Sequence, residues 1–115
     1  MNSINRTEKF SQWLTALKDV KAKARIITRI KQVSLGNFGD AKPLSDGVSE
    51  MRIHFGPGYR VYYAREGRTV YLLLSGGDKS SQDKDIKAAI EMWKQIQKEL
   101  PWQRLKPHLS MPQNT

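Results

Sequence analysis

The chain has 115 residues, 38% of them hydrophobic and three of them tryptophan, enough for one core and too short for two ordinary domains. There is no cysteine, which excludes disulfide frameworks, thiolate metal centres and cysteine nucleophiles, and the two histidines, His54 and His108, lie too far apart to read as a zinc site. Twenty Lys and Arg against eleven Asp and Glu give a net charge of +9 and a pI near 10.0, a balance that concentrates anionic partners, either nucleic acid or an acidic protein.

The amino terminus is polar and lacks the apolar core of a signal peptide, and nowhere do apolar residues run long enough to span a bilayer. The expectation is therefore a cytoplasmic chain with no membrane partner. Residues 2–5 read as a short edge strand. Thr7 then offers an N-cap, and Phe10, Trp13, Leu14 and Leu17 recur at helical spacing as far as Asp19. A second helix is predicted from Val20 to Leu35, closed by Gly36. Its buried stripe is Ile26, Ile27, Ile30 and Val33, and its wet side is Lys21, Lys23, Arg25, Arg29 and Lys31. So tight a junction predicts an antiparallel helical hairpin.

Residues 36–43 read as loop, after which the apolar period changes from about 3.6 to 2. Alternation from Val48 to Phe55 and from Tyr59 to Ala64, around Gly56-Pro57-Gly58, predicts a β-hairpin. Glu66-Gly67-Arg68 makes the next turn. The apolar run Val70 to Leu74 predicts a central strand covered on both faces, broken by Gly76-Gly77-Asp78. Ser80 or Ser81 caps a third helix with Ile86, Ala89, Ile90, Trp93, Ile96 and Leu100 on one stripe, stopped by Pro101. The result is an α+β domain over 1–100, with an N-terminal helical hairpin packed on a small, mainly antiparallel sheet and a C-terminal helix. Residues 101–115 form an extension.

If the Gly-Pro-Gly turn sets Phe55 opposite Tyr59, then Ile53 faces Val61, Met51 faces Tyr63, and all six point inward. The other face then carries His54 across from Arg60 and Arg52 across from Tyr62, with Glu50 next and read as a salt-bridge partner of Arg52. Such a face neutralises phosphate through guanidinium groups and offers Tyr62 as a stacking platform. Lys79 joins it from the end of the last strand.

Several stretches resemble the addiction-module killer proteins of the RelE/ParE toxin superfamily, which are related to phage Gp49-like and HigB-like toxins. They are Phe10 to Asp19, Gly36 to Asp40, Gly47 to Ile53, Gly56 to Tyr63, Leu73 to Gln82, and Lys84 to Ile86 with Ala89. The resemblance covers about residues 4–95. It implies a RelE/ParE-like fold and a bacterial toxin whose partner is a cognate antitoxin, either acidic or a helix-turn-helix protein. It further implies action on translation or on replication. Arg52 and His54 fall where two strand lysines sit in the RNA-cleaving members, Arg60 matches their transition-state arginine, and Lys79 lies near another basic residue. Lys84 is added as a nucleic-acid contact. Several RNA-cleaving members supply a tyrosine or histidine near the carboxyl terminus, where this chain reads Gln82-Asp83-Lys84-Asp85-Ile86.

Cleavage of RNA without a metal needs a base for the 2′-hydroxyl, cations for the phosphorane and an acid for the leaving oxygen. Arg52 and Arg60 suit the second task. His54 suits proton transfer, as the one side chain of this face belonging to a class that titrates near neutrality. Two flanking arginines are expected to favour its neutral form, and Lys79 or Tyr62 can share the role. Asp78 and Asp85 read as complements to the positive end of the third helix, and Gly76-Gly77 as a tight turn or a phosphate nest. No metal and no cofactor are expected. Three functions compete: a metal-independent mRNA endoribonuclease acting on the ribosome, a non-enzymatic inhibitor of DNA gyrase, and a basic binding module without toxicity.

Overall fold

The first two helices begin where a short polar side chain can satisfy the open amides of a first turn. In the computed structural model, which describes residues 1–99, Thr7 caps helix α1 (Glu8–Ala16) by accepting from the Phe10 amide at 3.0 Å. Asp19, placed by the sequence at the end of α1, instead caps α2 (Val20–Ser34), accepting from the amides of Lys21 and Ala22. The strands are β1 (Ser3–Arg6), β2 (Ala41–Pro43), β3 (Val48–Ile53), β4 (Tyr59–Arg65) and β5 (Val70–Asp78). A 3-10 turn, Lys79–Ser81, capped by Asp78, leads into α3 (Gln82–Glu99), so Ser80 and Ser81, expected to cap that helix, lie within the turn before it. The proposed extension, residues 101–115, lies outside the described residues, as do Leu100 and the Pro101 stop.

The sheet order is β1-β5-β4-β3-β2, with β1 parallel to β5 and every other pair antiparallel. The α+β class with a mainly antiparallel sheet and a C-terminal helix is thus the observed one. Helices α1 and α2 cover one face, where Phe10, Leu14, Ala22, Ile26 and Val33 meet Met51, Ile53, Tyr59, Val61, Tyr63 and Leu73. Helix α3 covers the other, where Ala89 and Trp93 meet Val48, Tyr62, Ala64, Leu72 and Leu74. Leu72, Leu73 and Leu74 are buried in succession because β5 lies between two helical layers.

Four local expectations are corrected. Residues 41–43 are a strand rather than loop, pairing Ala41 with Met51 and Pro43 with Ser49; Pro43 is tolerated because β2 is an edge. Ile27 of the predicted buried stripe is 50% exposed, and Ala22 is buried instead. Arg29 does not point to water: its Nη1 donates to the Arg52 carbonyl at 2.6 Å and its Nη2 to the Phe38 carbonyl at 2.9 Å, tying α2 to β3. Gly76 and Gly77 do not break β5; they lie inside it, opposite Val61 and Arg60. A Cβ on Gly76 would lie 2.3 Å from the Trp13 ring, and one on Gly77 would lie 2.0 Å from an Asp85 carboxylate oxygen. The two glycines therefore admit helices closely on opposite faces of one strand, which replaces both the tight-turn and the phosphate-nest readings.

Candidate nucleic-acid interface

The β3–β4 connection is longer than the sequence pairing assumed. Strand β3 stops at Ile53, and residues 54–58 form the loop, closed by Phe55 N–H to the Ile53 carbonyl at 2.9 Å and Gly58 N–H to the Phe55 carbonyl at 3.0 Å. Gly56 and Gly58 hold φ of +55° and +83°, which glycine adopts without a Cβ clash. The register is Ile53 with Tyr59, Arg52 with Arg60, and Glu50 with Tyr62, a slip of two residues from the expected pairing. Because side chains alternate with period two, the slip leaves every residue on its expected face and changes only its neighbours.

The change of neighbours rewrites the electrostatics. Arg52 and Arg60 stand directly opposite one another, and each is matched by a different carboxylate. The Arg52 guanidinium meets Asp40 at 3.2 Å, not Glu50, and the Nε of Arg60 lies 3.6 Å from Glu50. Glu50 is fully buried and also accepts from the Gln82 side-chain amide at 2.9 Å. Arg60 is not the exposed residue its hairpin position suggested. Its side chain is only 11% exposed, and its Nη1 donates to the Gly58 carbonyl at 3.0 Å.

His54 sits just beyond the end of β3 with its side chain 75% exposed. Its nearest charge is not an arginine: Nε2 is hydrogen-bonded to the second carboxylate oxygen of Asp40. That bond, assisted by Arg52, holds the Asp40 carboxyl below its ordinary value. Folding thus favours ionised Asp40; the contribution is present above the ordinary aspartate range and is lost as pH falls through the depressed one.

Arg52, His54, Arg60 and Lys79 line one cleft of about 410 Å³ around the 54–58 loop. Lys79 is exposed there and, among the described residues, has no carboxylate at ion-pair distance. Two further candidates are not brought to the cleft. Lys84 is exposed on the first turns of α3 and does not line it. Tyr62 is fully buried beneath α3, so it offers no ring face for a base to stack on. Burial first, and then the charges of Glu50 and Asp85, push its phenol above the ordinary tyrosine value, which keeps it protonated and unsuited to act as a base.

Asp40 and the Glu50–Arg60 pairing escaped the sequence reading. Asp40 had one available signal: residues 20–39 contain no acid, so this is the first carboxylate after a long basic stretch. Its contact with His54 comes through β2, too short to show a period. Among the described residues no set of three His, Cys, Asp or Glu side chains is placed to hold a metal ion, and no helix is long and apolar enough to cross a membrane.

The model of the family described as Phage derived protein Gp49-like (DUF891) matches residues 12–98. An uncharacterized protein of Haemophilus influenzae is 52% identical over 86 residues, which span 75% of this chain and 87% of that protein.

Proposed function

Since the chain belongs to the phage-derived Gp49-like family, within the toxin-like RelE/HigB group, we propose that it is the toxin of a toxin–antitoxin pair and that it inhibits translation as a metal-independent mRNA endoribonuclease. The observation that carries this reading is the convergence of Arg52, His54, Arg60 and Lys79 on one open cleft. RNA carries its own nucleophile, so the protein has to orient the phosphate, move two protons and stabilise charge. In the proposed reaction His54, in its neutral form, accepts the 2′-hydroxyl proton as the 2′-oxygen attacks phosphorus. Arg52, Arg60 and Lys79 stabilise the doubly charged phosphorane. The P–O5′ bond then breaks and the Lys79 ammonium protonates the leaving 5′-oxygen, so the products are a 2′,3′-cyclic phosphate and a 5′-hydroxyl.

The message held on the ribosome is the proposed substrate, and an acidic antitoxin covering the cleft is the proposed partner. A surface of net charge +9 supports both through steering. Cell-free translation with end analysis of the cleaved message tests the reading. Cyclic phosphate or 3′-phosphate ends are expected, with loss of cleavage in a His54→Ala, Lys79→Ala double variant, whereas 3′-hydroxyl ends exclude the mechanism. Gyrase inhibition is the second reading, favoured by one observation. The first turn of α3 presents Gln82, Asp83 and Lys84, with no ring to share the acid–base work. A supercoiling assay run beside the translation assay separates the two.

A further inference from the structure

We propose that Asp40 is the positioning residue of the cleft, acting through His54; this rests on the ribonuclease reading and adds to it the group that orients the base. His54 stands on the 54–58 loop with its side chain 75% exposed. Its one polar contact among the described residues is the bond from Nε2 to Asp40. With Nε2–H donating to the carboxylate, Nδ1 is the ring nitrogen left to accept a proton. The same carboxylate takes the Arg52 guanidinium on its other oxygen at 3.2 Å, so one side chain sets the base and a phosphate-binding cation at a fixed separation.

Asp40 and the loop before it are held in place by backbone and side-chain bonds. The Asp40 carbonyl accepts the Arg52 amide at 2.8 Å, which locks the residue to β3 at the start of β2. The preceding loop is clamped by Arg29, which bonds the carbonyls of Phe38 and Arg52 from α2. Gly39 has φ of +62°, and a Cβ there would lie 2.7 Å from the Arg29 guanidinium, so the chain passes under that side chain as only glycine allows. The Asn37 side chain accepts the Gly39 amide at 3.1 Å. The backbone on both sides of the Asp40–His54 contact is thus fastened to α2 through Arg29.

The test uses the full chain, labelled with nitrogen-15. In the wild type, at a pH where the imidazole is neutral, the His54 Nε2 proton should resonate downfield and exchange slowly, and a His108→Gln sample assigns it, since the chain has two histidines. Asp40→Ala should lose that resonance. It should also lower the turnover of message cleavage on the order of 100-fold with little change in KM, as misplacing a reacting group by about 1 Å does. Asp40→Asn, whose amide oxygen still accepts from Nε2, should recover most of the activity. In a His54→Ala background, removing Asp40 should cost nothing more. Additive losses in that cycle, or a resonance unchanged in Asp40→Ala, overturn the proposal. If the wild-type chain cleaves no message, the ribonuclease reading falls, and the resonance alone then decides whether Asp40 holds His54.

Discussion

Arg60→Ala is expected to abolish growth arrest and, at the same time, to remove a large part of the protein's stability. The side chain is 11% exposed and lies against Glu50, which has no exposed surface. Truncation leaves that carboxylate buried beside the Gln82 amide without its cation, and breaking a buried pair from one side costs about 3–5 kcal/mol. Against a total of about 5–15 kcal/mol for a domain, this is a severe loss. Urea denaturation of the purified variant measures it. Loss of toxicity in the single variant would therefore not separate chemistry from folding. The double variant Glu50→Gln, Arg60→Ala does separate them, because glutamine keeps an acceptor for Gln82 and removes the stranded charge. It should recover much of the stability while remaining non-toxic. A stable double variant that still arrests growth would place the working surface away from this cleft.

Gly76→Ala should be strongly destabilising. A Cβ at this position would lie 2.3 to 2.6 Å from three carbons of the Trp13 ring, well inside contact distance. The indole cannot simply turn aside. It is tilted against Phe10 at 5.7 Å between centroids and edge-on to Tyr59 at 6.4 Å. Helix α1 has to lift from β5, and overpacking of this kind costs about 1–3 kcal/mol. At the upper end the melting temperature falls by about 12–20 °C for a domain of this size. Thermal denaturation followed by circular dichroism reads the change. Adding Trp13→Leu should restore part of the loss, because it removes the ring that the new methyl strikes. An unchanged melting temperature in Gly76→Ala would mean that α1 does not rest on β5 as described.

The class of fold, the three helices and the faces of the hairpin were determined by sequence alone, because they depend on local chemistry. Period 3.6 separates α1, α2 and α3 from the period-2 strands, and Thr7 caps α1 by bonding an amide three residues away. Even the wrong hairpin register kept Ile53 and Val61 inward and Arg52 and Arg60 together, since a slip of two preserves the pleat. What periodicity cannot report is whether a polar face is wet. Tyr62 and Glu50 alternate with core residues as solvent-facing side chains do, and only the docking of α3 buries them. Docking of α1 on Gly76 and of α3 on Gly77 likewise explains why Gly76-Gly77 reads as a break in sequence and serves as a close approach within β5. The pairing of Asp40 was hidden for a related reason: its partners, His54 and Arg52, are distant in sequence, and they meet it only when β2 pairs with β3. Charges are legible one residue at a time, whereas their pairing is a property of the tertiary contacts that bring distant elements together.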